Sequence, residues 1–216
     1  DKHVTGVQTC ALPIYSLVND RRWEMSAVVP INRLKGRILG LVGFGNIAQS
    51  IVSKARAFGI KTIAADPYVS DEVFTKLDVE QVDFDQLLEQ ADFISIHTPL
   101  TEETTSLFGQ EAFIRMKPEA LLINTARGPL VDIDALAQAL ETGEIAGAAL
   151  DVLPQEPPPD DCPLLGRDDI ILTPHTGFYS ADALLDLQTT VATDVASVLN
   201  GESPRFPVNP EVRDLK

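Results

Sequence analysis

Cysteine, histidine and cationic side chains are scarce in this chain, and each scarcity removes a class of protein. Cys10 and Cys162 are the only two cysteines. Two thiols cannot build the disulfide framework of a small secreted domain, so a reducing, cytoplasmic setting is expected. Lys and Arg number 17 against 32 Asp and Glu, a formal net charge of −15. Nucleic acids and anionic membrane surfaces need a cationic face on their partner, so neither is an expected partner. The simplest reading of the acidity is solubility. No run approaches the about 18 continuous apolar residues of a membrane span, so the chain reads as soluble.

What is present suits a folded protein. Of 216 residues, 44% are apolar and 23% charged, enough core for one large or two small domains. The first fourteen residues stand apart. Val4 to Ile14 has neither helical nor strand periodicity, and it lacks the charged start and apolar middle of a signal peptide. It reads as a translated sequencing-library adapter, so residues 1–14, with His3 and Cys10, are set aside, and the natural start of the gene is expected to be missing.

From Leu34 onward, strands and helices alternate. Short apolar runs at Ile38 to Val42, Thr62 to Ala65, Phe93 to Ile96, Ala120 to Ile123, Ile145 to Leu150 and Ile170 to Leu172 read as strands, with a weak one at Val79 to Val82. Ile47, Ile51, Ala55 and Phe58 predict the buried face of a helix ending near Gly59. Further helices are expected over 71–77, from a cap at Asp85 through Leu88, over 110–116, after Asp132 or Asp134 as far as Gly143, and along Leu184 to Val198. Pro154 to Pro163 reads as a loop. The alternation implies an α/β fold with a doubly wound, mostly parallel sheet.

Gly43-Phe-Gly45-Asn46-Ile47-Ala48 falls between the first strand and its helix, a G-x-G-x-x-A pattern. Glycines there allow a tight turn and bring pyrophosphate close to the N–H groups at the helix N-terminus. Asp66 ends the second strand about 20 residues on, where a carboxylate accepts from ribose hydroxyls and repels a 2′-phosphate. The expected cofactor is therefore NAD rather than NADP. An ordinary turn followed by a capping Asp is the competing reading.

Three short signatures follow: Asn124-Thr-Ala-Arg-Gly128, Asp151-Val-Leu-Pro-Gln-Glu-Pro157 and Thr173-Pro-His-Thr-Gly177. Hydride transfer to a carbonyl needs a proton donor whose pKa lies near the working pH, and imidazole suits this. His97 and His175 both end strands, where open α/β sheets place their ligands; His97 reads as a strand-end residue near the cofactor. A carboxylate beside an imidazole favours its charged form, and Glu156 can take that place if the proline loop folds back under His175. Arg127 can grip a substrate carboxylate in bidentate fashion. Taken singly, Arg127 can be a surface charge, Glu156 a loop residue and His175 a structural histidine.

Taken together, the glycine loop, Asp66 and these signatures resemble the D-isomer-specific 2-hydroxyacid dehydrogenases from about Leu34 to Pro210. The run Glu156-Pro-Pro-Pro and Phe178-Tyr179-Ser180 are most similar to the C-terminal-binding-protein-like and phosphoglycerate-dehydrogenase-like branch. The resemblance implies a Rossmann-like NAD-binding domain over 36–178. It also implies a remnant of a flavodoxin-like substrate domain over 15–35, around Arg21-Arg-Trp23, and a crossover helix and tail over 179–216. It casts His175 as acid and base, Glu156 as its tuning partner and Arg127 as the group that orients a small 2-oxo or 2-hydroxy acid. Cofactor contacts would come from Gly43, Gly45, Asn46, Ile47, Asp66, Thr98, Pro99, Thr104, Ala126, Arg127, Asp151, His175 and Gly177, with no metal. Thr176-Gly177 departs from the small apolar residues of many relatives. A homodimer through the NAD-binding domain is expected. So is a chain that binds NAD but turns over poorly, because the first part of the substrate domain is absent and the last helix lacks its cover. The alternative is an NAD-sensing scaffold that recruits protein partners.

Overall fold

The structure, a computed structural model, describes residues 20, 21, 23, 33–205 and 207. The expectations about residues 1–14, most of 15–32 and the tail from Phe206 onward lie outside them. The chain divides after His175 into two compact units.

The first unit is built on seven parallel strands: β1 (Ile38–Val42), β2 (Lys61–Ala65), β3 (Glu80–Gln81), β4 (Phe93–Ile96), β5 (Leu121–Asn124), β6 (Gly147–Leu150) and β7 (Ile170–Leu172), in the order β3-β2-β1-β4-β5-β6-β7. The strand sequence turns back between β1 and β4, the position where open α/β sheets bind ligands beyond their strand ends. Between strands run α1 (Asn46–Ala57), α2 (Asp71–Leu77), α3 (Phe84–Gln90), α4 (Gln110–Arg115) and α5 (Ile133–Thr142).

Strand periodicity explains the helices on both faces. Leu39 and Leu41 of β1 pack in one cluster with Ala48, Val52 and Ala55 of α1 and Phe74 of α2. Val42, two positions from Gly40, packs in the other with Leu87 and Leu88 of α3 and with residues of α4 and α5. Gly40 lets α3 close on the sheet: a Cβ there would lie 2.7 Å from Leu87 Cδ2 and 3.0 Å from the Ala91 Cβ. Leu87 and Leu88 are fully buried as a result.

Two local expectations are corrected. The buried face of α1 is Ala48, Val52 and Ala55, whereas Ile47 and Phe58 are 69% and 65% exposed. Ile47 stands at the first turn of α1 and Phe58 at its C-cap, so both face solvent at the two ends of the helix while Ala48, Val52 and Ala55 meet the sheet. The cap of α3 is Asp83, not Asp85. Asp83 accepts from the Gln86 N–H at 2.8 Å, and the Gln86 side chain accepts from the Asp83 N–H, a reciprocal capping box. Asp85 instead forms an exposed ion pair with Arg115 at 2.7 Å. Asp132 caps α5 through the N–H groups of Asp134 and Ala135, and Gly143 ends it in the left-handed region.

The second unit holds α6 (Ala181–Leu199), capped by Ser180, whose hydroxyl accepts from the Ala183 N–H at 3.0 Å. None of its residues is buried, and Leu187, Val191, Val195 and Val198 lie on it half-exposed. Among the described residues, no helix is long and apolar enough to cross a membrane.

Because the Asp83 side chain caps a backbone donor of α3, the Gln86 N–H, while Asp85 caps none, the two aspartates separate cleanly in urea unfolding. Asp83→Ala should lower stability by about 1 kcal/mol. Asp85→Ala should change it by less than about 0.5 kcal/mol. Equal losses would reassign the cap.

Candidate active site

The glycine loop leaves β1 at Gly43, whose φ of +86° is the left-handed conformation that only glycine adopts freely. A Cβ here would lie 2.7 Å from both His97 C and Thr98 N, so the loop rests directly on the end of β4. Gly45 is the N-cap of α1, supplies no side-chain cap and has nothing within 4 Å of the place a Cβ would occupy. The opening turn of α1 therefore faces an open cradle, with Asn46 and Ile47 exposed at its lip and no acidic residue in that turn. The first N–H groups of a helix have no partner within it, and its positive dipole end favours an anion. The cradle thus fits a pyrophosphate.

Asp66 organises the neighbouring end of β2. Its Oδ2 accepts from the Phe44 N–H at 2.7 Å and its Oδ1 from the Tyr68 N–H at 2.9 Å. Gly43, Asp66, Thr98, Pro99 and Thr104 line one cleft of about 1160 Å³. Thr104 Oγ1 donates to Pro99 O at 2.8 Å and accepts from the Thr101 N–H at 2.8 Å, which closes that wall. His97 directly follows β4 and precedes Thr98 of the cleft wall. Its Nε2 and Ser95 Oγ share a hydrogen bond of 2.9 Å, and burial pushes the imidazole below its ordinary pKa.

The chemical residues stand at the C-terminal ends of adjacent strands. Asn124, Leu150 and Leu172 are in register across β5, β6 and β7, so the loops carrying Arg127, Glu156 and His175 start side by side. Asn124 is fully buried and folds the first loop on itself, its Nδ2 donating to Arg127 O at 2.8 Å and its Oδ1 accepting from the Ala126 N–H at 3.0 Å. Arg127 is exposed, its Nη1 donating to Ala126 O at 2.6 Å. Gly128 then packs against the next loop so tightly that a Cβ would lie 2.0 Å from Leu153 C and 2.4 Å from Pro154 N. The Leu153 N–H donates to Glu156 Oε1 at 3.0 Å, and Glu156 Oε2 meets His175 Nδ1 at 2.8 Å.

These contacts define the proton chemistry. The His175 hydrogen bond, followed by that from the Leu153 N–H, holds Glu156 below the usual carboxylate range. Ionised Glu156 only accepts, so the proton of this bond sits on His175 Nδ1. His175 has a φ of +53°, a conformation costing a non-glycine residue about 1 kcal/mol or more. Its N–H donates to Asp151 O at 2.8 Å, which holds that conformation. Asp151 is itself buried, with Oδ1 accepting from Thr173 Oγ1 at 2.5 Å and its N–H donating to Asn124 O at 2.9 Å.

Arg127, Glu156, His175, Ala126 and Asp151 thus belong to one connected set of loops. Gly177 falls in the second unit. Asn124, Gly128 and Thr173 act on the site too; their motif positions were visible in sequence, but nothing there marked their contacts. Among the described residues, no cluster of three or more His, Cys, Asp or Glu could hold a metal.

A seven-stranded parallel sheet with a glycine loop at its switch point and an acidic residue just after the second strand defines a dinucleotide-binding domain. Residues 10–177 match the profile described as D-isomer specific 2-hydroxyacid dehydrogenase, NAD binding domain, and the chain belongs to that family. It is 44% identical to the D-3-phosphoglycerate dehydrogenase of Methanocaldococcus jannaschii over 82% of its own length and 34% of that enzyme's. The NAD-complexed D-isomer specific 2-hydroxyacid dehydrogenase of Lactobacillus delbrueckii ssp. bulgaricus superposes with a TM-score of 0.81 at 32% identity, over 94% of this chain and 65% of that one. An acyclic imino acid reductase in complex with NADPH and D-Arg reaches a TM-score of 0.79 at 29% identity, over 92% and 61% of the two chains.

Two outcomes test this geometry. Gly128→Ala must separate the Arg127 and Glu156 loops, and urea unfolding should show a loss of about 1–3 kcal/mol; an unchanged midpoint would mean the loops do not touch. For His97, the unfolded imidazole takes a proton near pH 6.5 while the folded one, its pKa depressed by burial, does so only at lower pH. Stability should therefore be complete above that pH and fall as pH drops below it. His97→Gln should flatten the profile between pH 7 and pH 5, and identical slopes for both proteins would remove His97 as its source.

Proposed function

We propose that this chain is the cofactor-binding part of an NAD-dependent dehydrogenase that interconverts a small D-2-hydroxy acid and its 2-oxo acid. The observation that carries the proposal is the 2.8 Å bond between Glu156 Oε2 and His175 Nδ1, which pairs the imidazole with a carboxylate. Bound NAD supplies the hydride acceptor, or as NADH the donor. His175 Nε2 gives a proton to the carbonyl oxygen on reduction and takes it from the hydroxyl on oxidation. Glu156 accepts at Nδ1 throughout and steadies the charged ring. Arg127, exposed and paired with no carboxylate among the described residues, takes the substrate carboxylate and draws charge from the adjacent carbonyl.

For the cofactor we assign the pyrophosphate to Gly43, Gly45, Asn46 and Ile47, and the ribose to Asp66. The adenosine wall goes to Thr98, Pro99 and Thr104, and the nicotinamide end to Ala126 and Asp151. We read 36–178 as the NAD-binding domain and 179–216 as a crossover helix and tail, in a cytoplasmic homodimer formed through the NAD-binding domain. The chain spans about a third of the archaeal relative's length, so closure over the substrate is assigned to protein beyond it.

The 216-residue chain should therefore bind NAD and turn over poorly; absence of NAD binding would refute the first expectation and near-normal turnover the second. The full-length protein should oxidise NADH with at least one of glyoxylate, hydroxypyruvate, pyruvate or phosphohydroxypyruvate. No consumption with any of them, alongside tight NAD binding, would favour the scaffold reading. His175→Ala should lower turnover by about 10²–10⁴-fold and leave NAD affinity in place. An active variant would end the assignment of the acid.

A further inference from the structure

The fold itself does not choose between the two dinucleotides, since the imino acid reductase with the same architecture holds NADPH. In the simplest scheme the choice falls to Asp66. Yet both oxygens of Asp66 are already engaged by the chain, Oδ2 by the Phe44 N–H and Oδ1 by the Tyr68 N–H. A carboxylate has about four acceptor sites, so the ribose can still be met. A replacement for Asp66 that lacks a side-chain acceptor, however, also releases the glycine loop at Phe44. Asp66 is thus tied to the loop's shape as well as to its charge.

The same cleft carries three further carboxylates, those of Asp83, Glu102 and Glu103, and no Lys or Arg lines it. Asp83 is held in place as the cap of α3. Glu102 and Glu103 are the two central residues of a turn that threonine hydroxyls pin from within. Thr104 Oγ1 bridges Pro99 O and the Thr101 N–H, each at 2.8 Å, and Thr105 Oγ1 donates to Thr101 O at 2.7 Å. The turn that carries the two glutamates is therefore a fixed part of the rim. Both are exposed and neither is needed to fold the turn, whose hydrogen bonds are made by its threonines and backbone.

We propose that Glu102 and Glu103 are specificity-determining residues, which together with Asp83 keep a 2′-phosphorylated cofactor out of the adenosine end of the cleft independently of Asp66. The mechanism is electrostatic. A 2′-phosphate carries between one and two negative charges near neutral pH, and here it would enter a cleft walled by carboxylates with no cation to receive it. For charges within about 7 Å across water, removing one carboxylate should favour a phosphate by about threefold at low salt, or roughly tenfold for two.

The test rests on the assignment of NAD as the cofactor and is made with the 216-residue chain by titrating NAD⁺ and NADP⁺ separately at 20 mM and 500 mM salt. The quantity read is the ratio of the two dissociation constants. Glu102→Gln/Glu103→Gln should move it about tenfold toward NADP⁺ at low salt, and most of that shift should vanish at high salt. The single variants should each give about threefold, which covers the case of a double variant that does not fold. Glu111→Gln/Glu119→Gln makes the same change in net charge outside the cleft and should leave the ratio where it is. An unmoved ratio in the rim variants, or an equal movement in the control, overturns the proposal. A wild-type chain that binds neither dinucleotide overturns the cofactor assignment itself, a result distinct from either.

Discussion

The contact of Gly128 with the peptide joining Leu153 and Pro154 is the constraint on which the chemical arrangement rests. There is no room for a side chain between the two loops, since a Cβ would stand 2.0 Å from Leu153 C. The loop bearing Arg127 is thereby seated on the loop bearing Glu156, and the latter is closed by the Leu153 N–H on Glu156 Oε1. Glu156 reaches His175 with its other oxygen. Beneath them Asp151 joins the loops a second time, its N–H bonded to Asn124 O and its own carbonyl to the His175 N–H. Apart from the packing of Gly128, each contact is a single backbone or carboxylate hydrogen bond. Their value lies in fixing one relative placement of a guanidinium, a carboxylate and an imidazole, which a set of independent exposed loops could not keep.

The cofactor side is built on the same economy of space. Gly43 brings the loop against the end of β4, and Gly45 leaves the N-terminus of α1 bare. Asp66 ties that loop to β2 while keeping acceptor capacity for a ribose. One wall therefore combines shape and charge, and the acidic rim at Glu102 and Glu103 extends the charge without adding to the shape.

Where local pattern and tertiary packing agreed, the residues were legible in advance. β1, β4 and β7 run over the residues that their apolar runs marked, and α2 over 71–77. The errors have physical causes. Ile47 and Phe58 carry helical spacing but lie outward, because the cleft mouth and the end of α1 are solvent-facing while Ala48, Val52 and Ala55 meet the sheet. Asp85 was a plausible cap, but only Asp83 has a glutamine three residues on to complete the reciprocal bonds. The 3₁₀ turn at Gly128–Leu130 carries no periodicity of its own, being too short to show any, and it exists because Gly128 docks on the proline loop.

By itself the sequence determined which elements form and which chemical groups the chain owns: a glycine loop after a strand, an acid after the next, and a cation, a carboxylate and an imidazole in three signatures. Those are local properties, set by residue type and spacing along the chain. Only the tertiary structure decided that Glu156 faces His175, that Asn124 shapes the turn of Arg127, and that the carboxylates of Asp66, Asp83, Glu102 and Glu103 share one cleft. The reason is register. Parallel strands distant in sequence align at β5, β6 and β7, and at β2, β1 and β4, through hydrogen bonds that any strand can make. The packing of both faces selects the alignment, and the loops at the strand ends inherit their neighbours from it.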